Sequence, residues 1–176
     1  GRRGLLLLVE GDGGRAHQPA FDFDASSRRF LAASTDALSA AMRSTTSPPG
    51  AEVSSCSGIA VPGGVSAALV EPDRRVVALS GDGGFMMNSQ ELETAVRLKL
   101  NLVILILEDS AYGMIRWKQA VDAFPDYGMT FKNPDFVKYA ESYGATGHRV
   151  GAVEDLGPTL ERAFQAGGVH LVAVPI

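Results

Sequence analysis

Residues 76–109 read VVALSGDGGFMMNSQELETAVRLKLNLVILILED, and this stretch carries the strongest structural signal in the chain. Its two apolar runs, residues 76–80 and 102–107, are rich in Val, Ile and Leu and have the length of buried strands. Residues 88–100 between them predict a helix, with Asn88 as its cap and Glu91 completing a capping box. A strand, a helix and another strand in this order predict two parallel strands of one sheet.

The alternation of strands and helices continues on both sides of this unit. Pro134 falls at the first turn of one predicted helix and Gly144 just past its end, where these residue types are favoured. We therefore predict an α/β fold with a doubly wound parallel sheet and helices on both faces. The further predicted elements are a strand at residues 5–9, helices at 58–70, 115–120, 133–144 and 153–167, and a last strand at 169–176.

The length and composition indicate one globular domain. The chain has 176 residues, with 45% hydrophobic and 20% charged, which is enough for one α/β core and too few for two. We predict a single domain over residues 1–176, with an irregular segment at 19–57 that offers only a short helix near residues 35–42. Since the chain begins at Gly1 and stops directly after an apolar run, we expect it to be a piece of a longer, multidomain protein.

Charge and cysteine content exclude several functional classes. The net charge is −4 and no basic run exceeds two arginines, so nucleic-acid binding is not expected. No apolar run is long enough to span a bilayer or to form a signal-peptide core, so no membrane association is expected. Cys56 is the single cysteine, which excludes an internal disulfide and fits a reducing, cytoplasmic location.

The candidate site lies where two neighbouring predicted strands end. Asp82 follows the first strand within the turn Gly81-Asp82-Gly83-Gly84, and Asp109 follows the second. Ligands bind at the carboxyl ends of strands in open parallel sheets. Glycines let backbone amides approach an anion, and carboxylates bind hard cations. This combination predicts a place for a metal-bridged diphosphate.

A second GDGG, at residues 11–14, lacks this setting. The residue twenty-seven positions after Asp12 is Ser39, which belongs to no predicted strand, whereas Asp109 stands at that spacing from Asp82. We therefore interpret the copy at residues 11–14 as a strand-to-helix turn with a solvated aspartate.

Residues 81–119, GDGGFMMNSQELETAVRLKLNLVILILEDSAYGMIRWKQ, closely resemble the thiamine-diphosphate motif of acetolactate synthases and their relatives. That motif runs from GDG to an Asn, or in some members an Asp, at the end of the following strand. The stretches GIAVPGGVSAALVEPDRRVVALS and FKNPDFVKYAESYGATGHRV resemble its flanks. The resemblance covers residues 58–176, is faint at 5–18 and is not seen at 19–57. Asp109 with the following Ser-Ala-Tyr is similar to the catabolic, flavin-independent members, and the use of FAD is left open.

The resemblance implies the thiamine-diphosphate-binding fold and a set of site residues. Asp82 and Asp109 would give side-chain oxygens to Mg²⁺, and Ala111 its backbone carbonyl. The amides of Gly83 and Gly84 would donate to the diphosphate. The implied cofactor-binding residues are Gly81, Asp82, Gly83, Gly84, Asp109, Ala111, Tyr112, Gly113 and Met114, of which the last three would lie along the cofactor.

The parent enzyme that the resemblance implies decarboxylates pyruvate on thiamine diphosphate and joins the two-carbon fragment to a second 2-oxo acid. The cofactor would lie between two chains, which implies a homo-oligomer. The glutamate that activates the aminopyrimidine ring belongs to a pyrimidine-binding domain in the same or another chain, so no catalytic residue is expected in this one. Two alternatives stay open: a domain or subunit of another thiamine-diphosphate-dependent 2-oxo-acid decarboxylase, and a catalytically silent remnant.

Some positions depart from the family pattern. Ser57 stands where the family usually has a bulky apolar residue that props the cofactor in its bent shape, which favours the silent remnant. Trp117 lies one position before the substrate-channel tryptophan of the biosynthetic members, so it is given no role. Glu108 stands where relatives usually carry Asn.

Other conspicuous residues are interpreted as structural. We assign the histidines, which are scattered in the sequence, to the surface or to loops, and the two methionines after the candidate diphosphate loop to the core. Cys56 is interpreted as an inert thiol, and one i,i+4 pair as part of a solvated helix face. The histidines are His17, His148 and His170, the methionines are Met86 and Met87, and the pair is Glu93 with Arg97.

Overall fold

The computed structural model describes residues 7–8, 52–55 and 58–176, the first two ranges as backbone alone. The strands are β1 (Leu7–Leu8), β2 (Glu52–Ser55), β3 (Val76–Gly81), β4 (Leu102–Glu108), β5 (Thr146–Arg149) and β6 (Val169–Pro175). The helices are α1 (Ala60–Val70), α2 (Asp82–Met87), α3 (Glu91–Arg97), α4 (Gly113–Val121), α5 (Phe136–Ser142) and α6 (Val153–Ala166). The strands form one parallel sheet in the order β1-β2-β3-β4-β6-β5.

Helices cover both faces of the sheet because the chain reverses its direction across it. The steps from β2 to β3, β4 and β5 all run one way, whereas the step from β5 to β6 runs back. Connections between parallel strands are right-handed, so the reversed step puts its helix on the opposite face. Helix α6 accordingly buries Leu156 and Leu160 on one face, and α5 buries Phe136 and Ala140 on the other. The predicted doubly wound fold is confirmed.

The central strands are buried on both faces. Along β4, Ile104 and Ile106 belong to one apolar cluster, while Val103 and Leu105 belong to the other. Burial on both sides explains why β4 is a continuous apolar run rather than an alternating one. Strand β4 pairs with β6 along its whole length and with β3 up to Leu107. None of the described helices is both long and apolar enough to cross a membrane.

The predicted capping box is wrong. Helix α3 begins at Glu91 after Gln90, and no side chain caps its first turn. Asn88 instead follows the short helix α2, and its side-chain amide donates a hydrogen bond to the carbonyl of Gly58. The sequence pattern does not separate these roles, because Asn favours both helix ends and loop contacts. The predicted pair of Glu93 and Arg97 is confirmed, with a 3.0 Å contact.

Other predicted boundaries also shift. Helix α5 begins at Phe136, since Asp135 caps it by accepting from the amides of residues 137 and 138, so Pro134 lies before the helix rather than in its first turn. Met86 and Met87 are exposed rather than in the core, because Phe85 is the large apolar side chain of α2 that packs inward. Two strands were not predicted: β5, and β2 within the segment taken as irregular. The predicted helix at 35–42 lies outside the described residues.

Candidate cofactor site

The two candidate carboxylates lie at the same edge of the sheet. Strands β3 and β4 pair in a register that sets Gly81 opposite Leu107, and Asp82 and Asp109 follow shortly after these residues. Asp82 is the first residue of α2 and is only 1% exposed. Asp109 as a whole residue is exposed in the turn that leads to α4, although its carboxyl group is partly desolvated. The structure therefore brings together the two residues that the sequence proposed as partners.

The buried carboxylate of Asp82 accepts three hydrogen bonds. Its Oδ1 accepts from the amide of Gly83 at 2.8 Å. Its Oδ2 accepts from the amide of Ser110 at 2.7 Å and from Nδ2 of Asn133 at 2.6 Å. A buried carboxylate is tolerated only when donors replace the water it has lost. These donors account for the burial of Asp82 and also fix the direction of its side chain.

The carboxyl of Asp109 is held beside a like charge. Partial burial raises the pKa of Asp109, and the neighbouring Asp82 carboxylate raises it further, against the lowering effect of a hydrogen bond from the amide of Ala111. Its Oδ2 lies 3.1 Å from the point that a Cβ at Gly113 would occupy, so the glycine leaves room for the carboxyl over the start of α4. Two carboxylates that repel each other form an arrangement that a cation stabilises.

A short antiparallel bridge shapes the turn after Asp109. Ala111 pairs with Thr130. Two hydrogen bonds form the bridge: the amide of Tyr112 donates to the carbonyl of Met129, and the amide of Phe131 donates to the carbonyl of Ser110. The hydrogen bonds of this bridge do not involve the carbonyl of Ala111. That carbonyl, the third predicted metal ligand, is therefore not committed to the bridge.

The glycines of the turn play different parts. A Cβ at Gly83 would lie 2.8 Å from two ring carbons of Tyr112, so the tyrosine ring covers this glycine closely. The amide of Gly83, expected on the diphosphate, donates to Asp82 in this structure. The amide of Gly84 lies in the first turn of α2, where a helix has no carbonyl of its own to accept it. At Gly81 a side chain would meet nothing within 4 Å.

The residues predicted along the cofactor lie on one side of the site. Tyr112 packs its ring on Phe131 with centroids 4.7 Å apart. Gly113 begins α4, and Met114 follows it with 72% of its surface exposed. Phe131 was not singled out from the sequence, since nothing in its local pattern indicates that the ring would reach Tyr112.

Asn133 is the principal site residue that the sequence analysis missed. It stands immediately before Pro134 and was included in the helix predicted at residues 133–144. Its one local signal is the Asn-Pro pair, which favours an extended or turn conformation rather than a helix. Its contact with Asp82 joins positions 51 residues apart, which no spacing rule anticipates.

The departure at Glu108 has a structural explanation. Glu108 is buried at the end of β4, and its Oε2 accepts a hydrogen bond from Arg149 on β5 at 2.7 Å. The ion pair links β4 to β5 across β6, at the end of the strands where the candidate site lies. The carboxylate of Glu108 is thus the partner of Arg149 in this structure.

The interpretation as surface or loop residues is wrong for His170, while His148 is partly buried and lies on a strand rather than in a loop. They lie on neighbouring strands with stacked rings, and His170 is buried. Nε2 of His170 lies 2.9 Å from the carbonyl of Gly167, and since a carbonyl oxygen only accepts, this nitrogen carries a proton. Nε2 of His148 and Nδ1 of His170 lie 3.0 Å apart, within hydrogen-bond distance. Burial lowers the pKa of His148, and the charges of His170 and Arg162 lower it further.

Several sequence candidates lie outside the described residues. The first GDGG with Asp12, and His17, belong to residues 9–51, and Cys56 and Ser57 form the next undescribed range. Among the described residues, no three His, Cys, Asp or Glu side chains gather into a metal-binding cluster. The donor set at the candidate site consists of two carboxylates and a carbonyl, which is the oxygen chemistry that Mg²⁺ prefers when phosphates supply further ligands.

The fold and the site define the class of protein: a parallel α/β domain whose ligand site lies at the carboxyl ends of adjacent central strands. The sequence matches the family model described as "Thiamine pyrophosphate enzyme, C-terminal TPP binding domain" over residues 32–174. The chain therefore belongs to this family and is a thiamine-diphosphate-binding domain. The match begins within the segment 19–57, where no resemblance was seen from the sequence.

The relatives include acetolactate synthases. The chain is 43% identical over 119 residues to acetolactate synthase from Bacillus subtilis (strain 168) and, over the same length, to the catabolic acetolactate synthase of Raoultella terrigena. Each alignment covers 68% of this chain and 21% of the relative, so the chain spans about a fifth of their length. A thiamine diphosphate-dependent 4-hydroxybenzoylformate decarboxylase from Rhodococcus jostii RHA1 is similar in structure, with a TM-score of 0.63 and 33% identity over 67% of this chain and 23% of that one.

Proposed function

We propose that this chain is the thiamine-diphosphate- and Mg²⁺-binding domain of an acetolactate-synthase-like enzyme. That enzyme would decarboxylate pyruvate and join the two-carbon fragment to a second 2-oxo acid. The observation that carries the proposal is the pair of Asp82 and Asp109 at adjacent strand ends, with Asp82 acting on the pKa of Asp109. The names of the two bacterial relatives support the reaction.

The residues at the site fit this cofactor. Asp82, Asp109 and the carbonyl of Ala111 would hold Mg²⁺, and diphosphate oxygens and water would complete its octahedral shell. The amide of Gly84, in the first turn of α2, would donate to the diphosphate. Thiamine diphosphate, when bound, supplies the carbon nucleophile for cleavage beside a carbonyl. The part of this chain is to hold the charged end of the cofactor so that its reactive end is aimed at the substrate.

A titration of variants with thiamine diphosphate tests the metal assignment. Asp82→Ala removes a ligand of a cation that needs near-ideal geometry, so thiamine-diphosphate affinity at fixed Mg²⁺ should fall at least about tenfold, roughly 1.4 kcal/mol. Asp109→Asn should cost less, because an amide oxygen still coordinates a hard cation. Isothermal titration calorimetry of the protein together with a pyrimidine-binding domain measures both effects.

Two control substitutions make the result specific. Asp73→Asn removes an exposed carboxylate in the turn after α1 and should leave the affinity unchanged. Asp12→Ala, in the other GDGG, should weaken Mg²⁺-dependent binding much less than Asp82→Ala. If Asp12→Ala abolishes binding while Asp82→Ala leaves it intact, the wrong loop has been assigned.

Helix α4 supports the proposal of a partner domain. None of its residues is buried, although the helix follows directly on the candidate site. Large apolar side chains on it and just after it are exposed, among them Met114 at 72%, Ile115 at 50% and Phe124 at 63%. Exposed apolar patches of this kind mark interaction surfaces. We propose that the pyrimidine-binding domain, in the same or another chain of a homo-oligomer, covers α4 and contributes the activating glutamate.

Substitution on α4 tests the partner proposal. Ile115→Ser should weaken assembly with a pyrimidine-binding domain at least about tenfold, because a buried apolar anchor is lost at an interface. Leu98→Ser is the matched control, since Leu98 is exposed to a similar degree at the end of α3. Analytical ultracentrifugation of the mixed domains measures both variants. Equal weakening by both variants, or self-association of this chain through α4 alone, would contradict the proposed occupant.

A second candidate function has one specific observation in its favour. The Rhodococcus jostii structure, a 4-hydroxybenzoylformate decarboxylase, shows that an enzyme of a different substrate class has a similar domain. An enzyme of that kind would release an aldehyde from an aromatic 2-oxo acid and would not form acetolactate from pyruvate. Product analysis with the two substrates separates the candidates, and formation of neither product would favour the catalytically silent remnant.

A further inference from the structure

The side chain of Asn133 makes the most direct contact between the candidate site and a third segment of the chain. Its Nδ2 donates to Oδ2 of Asp82 at 2.6 Å and lies 3.4 Å from Oγ of Ser110. The other two donors to Asp82 are backbone amides, from Gly83 directly after β3 and from Ser110 after β4. Asn133 is thus the side-chain donor to this carboxylate among the described residues, and it comes from a segment next to neither strand end.

Asn133 is itself held in place from both sides. Before it, the amide of Phe131 donates to the carbonyl of Ser110 at 3.0 Å. After it, Pro134 restricts the backbone of Asn133 to extended conformations. Helix α5 then begins with Phe136, which is fully buried in the core. A donor whose backbone is fixed on both sides is preorganised, so its hydrogen bond constrains Asp82 rather than following it.

The orientation of the amide group adds a second observation. With Nδ2 directed at Asp82, the oxygen Oδ1 of Asn133 is buried, and it accepts no hydrogen bond in the part of the chain that is described. Buried acceptors are normally paired. The opposite orientation would place Oδ1 against a carboxylate oxygen of Asp82, and both of these atoms are acceptors. The contact with Asp82 therefore accounts for which of the two amide orientations is present.

We propose that Asn133 is a positioning residue for Mg²⁺ binding, which acts by fixing the Asp82 carboxylate in the direction required of a metal ligand. The proposal rests on the proposed function of the Asp82–Asp109 site. Mg²⁺ demands near-ideal octahedral geometry, so a ligand that can rotate binds it less well. Residues that hydrogen-bond to metal ligands typically change metal affinity by roughly tenfold to a hundredfold when they are replaced.

The test compares the Mg²⁺ requirement with the stability of the fold. Asn133→Ala should raise the Mg²⁺ concentration at half-saturation at least about tenfold, measured by calorimetry with excess thiamine diphosphate, and high Mg²⁺ should restore full binding. A role only in folding would lower the urea midpoint without changing the Mg²⁺ requirement of the folded protein. Asn133→Leu, which keeps a branched side chain of similar size but donates nothing, should reproduce the change and covers the case in which the alanine variant does not fold.

The matched control is Asn101→Ala. Asn101 also makes one side-chain hydrogen bond, accepting from the amide of Gly168 at 2.8 Å, but at the opposite edge of the sheet. The Asn101→Ala substitution should lower the urea midpoint and leave the Mg²⁺ requirement unchanged. Unaltered Mg²⁺ requirements in both Asn133 variants would overturn the inference alone. Failure of the unsubstituted protein, assembled with its pyrimidine-binding domain, to bind thiamine diphosphate with Mg²⁺ would instead overturn the proposed function and the inference with it.

Discussion

Gly147 should be among the positions where one added methyl group destabilises the fold most. It lies on β5, where a Cβ would stand 2.6 Å from both Cα and the carbonyl oxygen of Val137 on α5. Non-bonded carbon atoms pack best at about 3.5–4.0 Å, so α5 and β5 would have to separate by about 1 Å. The obstructing atoms are backbone and cannot rotate away. Since overpacking typically costs about 1–3 kcal/mol, we expect Gly147→Ala to lower the free energy of unfolding by about 3 kcal/mol.

Urea denaturation followed by circular dichroism measures this loss. Gly151→Ala is the matched control, because a Cβ there meets nothing within 4 Å and the residue is four positions away. It should be neutral or stabilise by up to about 1 kcal/mol, since alanine restricts the unfolded chain. The midpoint should fall for Gly147→Ala with little change in slope, as expected for a change in stability alone. A Gly147→Ala variant as stable as Gly151→Ala would refute the close approach of α5 to β5.

Two further predictions concern pH and activity. The pKa of His148 is lowered below its usual 6.5 by burial and by nearby charges, so the unfolded chain takes up this proton at a higher pH than the folded one. The contribution of His148 to stability is therefore fully present above pH 6.5 and is lost as the pH falls below that value. His148→Asn should reduce the difference between the urea midpoints measured at about pH 7.5 and at about pH 5.5. An unchanged difference between these midpoints would contradict the prediction. The purified chain alone should form no acetolactate from pyruvate, because the activating glutamate is expected on another domain, and colour development above a protein-free control would contradict that expectation.

The fold could be predicted from sequence where periodicity is strong. The apolar runs of β3 and β4 are continuous because both faces of these strands are buried, so that apolar residues are favoured at successive positions. Strand β5 could not be predicted, because Thr146–Arg149 contains no large apolar residue and lies at the exposed edge of the sheet. It is a strand because β6 offers it a pairing edge, and that edge exists only in the assembled sheet.

The candidate site likewise has a part that could be predicted from the sequence and a part that could not. The sequence by itself predicted that Asp82 and Asp109 follow the two strands of one strand–helix–strand unit, because the strand ends and the helix between them are local features of the chain. Only the tertiary structure decided that Asn133 donates to Asp82 and that His148 pairs with His170. These contacts join residues 51 and 22 positions apart, and they depend on where right-handed crossovers place whole segments. Local periodicity records which side of an element is buried, but it does not record which distant side chain will lie against it.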